Sequence, residues 1–165
     1  MDDRTLVEQQ LGRPPRAFAR VARRCPFAAP AVTEQAPYAA DGTPFPTTYY
    51  LTCPALVAAL ARLEAAGGVE RWTQAVAADP ELAASLAAAN EEQRRIRHEL
   101  AAGATGPDGG ASLDSGIGGS ERGGSLKCLH AHAAFALANE GYELGERILA
   151  EVDPLWPERC CSLPV

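Results

Sequence analysis

The sequence predicts an α+β domain that is mainly helical, with one small antiparallel β-hairpin. Three observations carry this. Segments with helical apolar spacing, opened by Asp or Pro and closed by Gly, fill most of the chain. One stretch, 30–53, instead sets β-branched and aromatic residues on both sides of an Asp-Gly pair. The length, 165 residues, suits a single domain over 1–165.

The elements follow in order. "DRTLVEQQLG" opens on Asp3 and closes on Gly12, a short helix with Leu6, Val7 and Leu11 on its apolar side. "RPPRAFARVARRCP" comes next. Six arginines between Arg4 and Arg24 make this the one basic part of an acidic protein. They read as surface ion pairs, or as a contact for an anion or partner.

"PAVTEQAPY" and "FPTTYYLTC" are the two hairpin strands, joined through "AADGTP". Centring the turn on Asp41-Gly42 sets Ala31 opposite Thr52. Cys53 then lies at the same open end of the hairpin as Cys25. A helix starts at Pro54, capped by Thr52 or Cys53, with Leu56, Leu60 and Leu63 as its stripe and Gly67-Gly68 as its stop. "VERWTQAVAA" is a further short helix. The longest helix opens at Asp79-Pro80 and ends at Gly103.

From about 104 to 125 the chain turns to Gly, Ser and Asp, which predicts a flexible loop. "SLKCLHAHAAFALANEG" restores helical character from near Ser125, with Leu129, Ala133, Ala136 and Leu137 as core candidates. "YELGERILAEV" is the last short helix. An irregular tail begins at about 153.

Composition narrows the function. Net charge is −6 and the pI about 5.1, with no basic stripe or tail, which argues against nucleic acid as a partner. The cluster "RRIR" at 94–97 follows "EEQ" and reads as a solvated helix face, with His98 also on the surface. No apolar run reaches the roughly 18 residues of a membrane span, and the charged start is unlike a secretory signal. A cytoplasmic protein is expected, with a protein or small molecule as partner. Five cysteines, an odd number, then fit a disulfide framework poorly. Metal binding, a reactive thiol or burial remain.

The stretch "KCLHAHAAFALANEG" concentrates the chemistry. Cys128 and His132 are four apart and share a helix face. His130 joins them only if Cys128 sits at the cap, outside regular helix geometry. Cys53 and Cys128 each lie at an expected helix N-terminus, where free N–H groups and the helix dipole favour a thiolate. Cys25, Cys53, Cys128 and His130 or His132 can therefore hold Zn²⁺, or an iron–sulfur cluster. Burial of the cysteines among core residues explains the same pattern without any ligand. Cys160-Cys161 are adjacent, and one of them can add a ligand only if the tail folds back. "GIGGSERGG" has the glycines of a phosphate loop, but neither the preceding strand nor the Gly-Lys-Ser/Thr order. Glu64, Glu70, Asp79 and Glu81 sit at helix ends, where capping accounts for them.

The blocks "QLGRPPR", "VARRCPFAAPAV", "DGTPFPTTYYLTCPALVAALARLEAAGG", "GIGG" and "LKCLHAHAAFAL" resemble, in this order, the bacterial and mainly actinobacterial family DUF501. The resemblance runs from about Val7 to Gly145 and is most specific at "PFPTTYYLTCP" and "KCLHAH". It implies no activity, since the family's function is unknown. The family pattern includes cysteines matching Cys25, Cys53 and Cys128 and the histidine matching His130. Members often carry a further histidine where this chain has Phe135, which leaves His132 as the stand-in.

Two functional readings follow. In the first, a small metal-binding module ties the hairpin to the helix starting near Cys128 through Zn²⁺ or an iron–sulfur cluster. In the second, an enzyme uses Cys128 or a metal-bound water under the mobile glycine-rich loop.

Overall fold

The computed structural model describes residues 1–120, 124 and 126–161. Glu121, Arg122, Gly123 and Ser125, part of the glycine-rich approach to Cys128, lie outside the described residues. So do residues 162–165 of the tail.

Helix α1 spans Asp3–Leu11, and its cap is Asp2, one residue before the expected Asp3. The Asp2 carboxylate accepts from the Thr5 backbone N–H at 3.0 Å and from the Thr5 hydroxyl at 2.8 Å. Gly12 closes the helix in the left-handed region. Three strands follow, β1 (Phe18–Arg24), β2 (Pro30–Gln35) and β3 (Tyr49–Leu51), in one antiparallel sheet ordered β1-β2-β3.

The expected hairpin is the β2–β3 pair. Val32 pairs with Leu51, and the Thr52 N–H donates to the Ala31 carbonyl at 2.9 Å, which is the register that centring the turn on Asp41-Gly42 requires. The third strand, β1, falls in the arginine-rich segment. Its register against β2 shifts at three points and its side chains are half-buried or exposed. An arginine-bearing, bulged edge strand protects the sheet from pairing with another chain. Such a strand lacks the alternation that would reveal it in the sequence. Arg20 makes a bidentate pair with buried Glu34, at 2.7 and 2.9 Å, and Arg24 meets Asp3 at 2.7 Å.

Helices α2 (Pro54–Ala65), α3 (Gly68–Ala78) and α4 (Pro80–Ala101) come next. Pro54 and Pro80 occupy first-turn positions, where a missing N–H costs nothing. Only Gly67 adopts the left-handed conformation of a stop. Gly68 is already helical, and a Cβ there would lie 2.6 Å from the Leu63 carbonyl oxygen and 2.9 Å from a Leu129 methyl. Glycine at 68 therefore lets the α2–α3 corner sit close to α5 (Leu129–Ala138).

Helix α5 is the centre of the molecule. Leu129, Ala133, Ala134 and Phe135 on it are buried, with β3 on one side and α6 (Glu143–Ala150) on the other. Its burial is nearly all round, which explains why its apolar residues show little one-sided pattern. Among the described residues, six helices and this small sheet make an α+β fold, mainly helical.

Residues 104–120 form two short 3-10 turns, Ala111–Asp114 and Ile117–Gly119, whose Leu113 and Ile117 are buried. Asp108 organises the first turn by accepting from the N–H groups of Gly110 and Ser112. The Asn90 side chain on α4 accepts from the Ile117 N–H at 2.9 Å.

The "RRIR" segment departs from the solvated face expected of it. Arg95 is exposed between Glu92 and Glu99, but Arg97 is fully buried. Its guanidinium donates to the carbonyls of Phe45, Pro46 and Ser112 and to the Thr48 hydroxyl, at 3.0–3.3 Å. It thereby fastens the connection into β3 and the first 3-10 turn onto α4. No helix among the described residues is long and apolar enough to cross a membrane.

Candidate functional site

A cleft of about 610 Å³ opens where α1, β3, the start of α2 and the start of α5 meet. Its wall is mainly apolar, from Leu11, Leu51, Pro54, Val57, Ala58 and Ala131. Polar groups enter it from separate segments: Thr47, Tyr50 and Thr52 from β3 and its flanks, and Cys128 and His130 from α5. Gly118, in the second 3-10 turn, closes one side. The Thr52 hydroxyl is buried and has no hydrogen-bond partner among the described residues. A hollow of this size, apolar with a few converging polar groups, is the usual form of a small-molecule site.

The local sequence explains the polar end. Cys128 is the N-cap of α5, with extended backbone, and its Sγ accepts from the Ala131 N–H at 3.4 Å. This is the cap position that allows His130 to share its neighbourhood. The α5 start is also held from α2. Glu64 Oε1 accepts from the Leu129 N–H at 2.7 Å and lies 2.9 Å from His130 Nδ1. His130 Nε2 faces the Val57 carbonyl at 3.1 Å. Each ring nitrogen therefore faces an oxygen, which fixes the orientation of the ring. Glu64 thus caps, as its type suggests, but the helix it caps is α5 and not its own. The sequence gives no sign of this, because the two segments are 65 residues apart.

Burial decides the thiol chemistry. It pushes the Cys128 thiol up, against the lowering effect of the Ala131 N–H, and the Glu64 carboxylate adds to the rise. Cys53 is pushed up to about 11, again chiefly by burial, with the Leu56 N–H opposing. Both cysteines do occupy helix N-cap positions, of α2 and α5, but the dipole is outweighed. The thiolates expected at these caps are therefore not the resting form.

The five residues expected to share one ion face different partners. Cys25 is half-buried at the end of β1, its N–H bonded to the Ala29 carbonyl at 2.9 Å. Cys53 Sγ lies 3.6 Å from Cys161 Sγ, because the tail folds back over the start of α2. Cys128 and His130 line the cleft. His132 turns the other way, into the α5–α6 interface, where Nδ1 meets the Tyr142 hydroxyl at 2.7 Å. Among the described residues, no three His, Cys, Asp or Glu side chains surround a common point. His98 is exposed, paired with Asp114 at 2.8 Å.

No curated protein and no solved structure matches the chain. One family profile does, that of DUF501, a protein of unknown function, over residues 21–150. That span holds the latter part of β1, all of β2 and β3, helices α2 to α6, and Cys53, Glu64, Cys128 and His130. The chain belongs to the DUF501 family.

Proposed function

We propose that the chain is a binding module for a small organic molecule with a largely apolar body and one or two hydrogen-bonding groups. One observation carries this reading. A single cleft of about 610 Å³ gathers Thr52, Cys128, His130 and Gly118 from segments far apart in the sequence. Apolar contact would supply most of the affinity, and the Thr52, Cys128 and His130 groups would fix orientation. The protonated thiol and the doubly engaged His130 ring suit binding better than nucleophilic attack, which needs a thiolate and a free base nitrogen. An odd number of cysteines, five, and an acidic net charge of −6 fit a reducing, cytoplasmic setting.

The test uses 8-anilinonaphthalene-1-sulfonate as an apolar probe on the native protein. The expected result is one site per chain, with bound probe slowing alkylation of Cys128. Ala58 is exposed on the cleft rim, so Ala58→Trp fills the cleft without touching the core. Binding should fall at least tenfold in that variant. Equal binding by wild type and Ala58→Trp would place the probe elsewhere and overturn the reading.

A further inference from the structure

The structure also brings together two sulfur atoms 108 residues apart. We propose that Cys53 and Cys161 form a two-thiolate site for Zn²⁺, with its two remaining positions open to water or an external donor. This site is separate from the cleft and does not depend on it.

The geometry supports an ion between them. Their separation is 3.6 Å. Two sulfurs at zinc–sulfur bond lengths of about 2.3 Å on a tetrahedral ion lie about 3.8 Å apart. The pair therefore needs almost no movement to accept zinc. Cys53 is buried, whereas Cys161 is exposed, so the site has a protected floor and an entry from solvent.

The tail is held in place by other contacts. Arg71 grips Glu151 with two bonds of 2.7 and 2.9 Å, and Leu155 and Trp156 pack against the core. The approach of Cys161 to Cys53 is thus organised before any ion arrives, which lowers the ordering cost of binding.

Charge also favours it. Cys53 is the N-cap of the 12-residue helix α2, yet its thiol makes no capping hydrogen bond. Two thiolates on Zn²⁺ form a neutral unit, which burial does not penalise as it penalises a lone thiolate. In the step, both S–H bonds break, two Zn–S bonds form and two protons pass to the buffer. No oxidant or reductant is involved.

Co²⁺ added to the reduced full-length chain reports the site. The expected result is a near-ultraviolet thiolate-to-cobalt band that saturates at one Co²⁺ per chain and is bleached by one equivalent of Zn²⁺. Cys161→Ser should weaken cobalt binding at least tenfold while leaving the melting temperature of the metal-free protein unchanged, since residue 161 is exposed. Cys53→Ser should do the same to binding, and Cys128→Ser should leave it intact. A band that persists in Cys161→Ser, or that vanishes in Cys128→Ser, overturns the proposal. So does reduced protein that takes up no metal, or a Cys53–Cys161 disulfide that forms in preference to zinc uptake.

Discussion

The Nδ1 atom of His132 lies 2.7 Å from the hydroxyl of Tyr142, in an interface where both side chains are shut off from water. The Nε2 atom on the other side of the ring has no partner among the described residues. Burial pushes the His132 imidazole down to about 4, because a charged ring here would lose its hydration. Burial raises the Tyr142 phenol as well, so it keeps its proton. This pair is part of the α5–α6 contact and not of the cleft.

A pH dependence of stability follows. Between an ordinary histidine value of about 6.5 in the unfolded chain and about 4 in the fold, the unfolded state binds a proton that the native state refuses. His132 therefore contributes its full effect above about pH 6.5, and the contribution is lost as pH falls towards 4. The loss amounts to about 3 kcal/mol. Urea denaturation at several pH values between 7.5 and 4.5 measures it, and His132→Leu should flatten the slope. An unchanged slope in that variant would show that other groups cause it.

Arg97 holds the connection into β3. Arg97→Met should destabilise the fold by about 2–4 kcal/mol, because buried carbonyls and the Thr48 hydroxyl lose their donor. Arg97→Lys should recover little, since one ammonium cannot span acceptors arranged around a planar guanidinium. Equilibrium denaturation gives the magnitude. Faster proteolysis between residues 104 and 116 would locate the damage.

Gly145 tests the closeness of α5 and α6. On an open helix, Gly→Ala gains about 1 kcal/mol. At Gly145 the new Cβ would stand 2.6 Å from the Ala136 Cβ, 2.7 Å from Tyr142 Cδ2 and 2.9 Å from the His132 carbonyl oxygen. Overpacking wins, and Gly145→Ala should cost about 1–3 kcal/mol. Adding Ala136→Gly should return part of the loss. A stabilised single variant would mean that the helices can move apart freely.

The anchoring of α5 by Glu64 is open to the same kind of measurement. Glu64→Ala leaves the Leu129 N–H and His130 Nδ1 without their acceptor and should cost about 1–2 kcal/mol, the range of a lost helix cap. Cys128→Ser replaces the Sγ acceptor with a hydroxyl oxygen at the cap position and should hold stability level. Native Cys128 should react with iodoacetamide at neutral pH about tenfold more slowly than free cysteine, as burial raises its thiol. Reaction at the free-cysteine rate would restore the case for a nucleophile.

The sequence by itself determined the helices, their caps at Asp79 and Cys128, and the β2–β3 register. These follow from local rules: apolar periodicity, capping residues and a turn centred on Asp41-Gly42. It also determined the family, through "PFPTTYYLTCP" and "KCLHAH". Tertiary structure alone decided that Arg97 points inward while Arg95 points outward, that Glu64 caps a helix 65 residues away, and that Cys161 rather than Cys128 meets Cys53. Each of these depends on how elements pack across long sequence separations. The thiols show the reason most plainly. The helix dipole that favours a thiolate is readable from a cap position, but the burial that outweighs it exists only once the chain has folded.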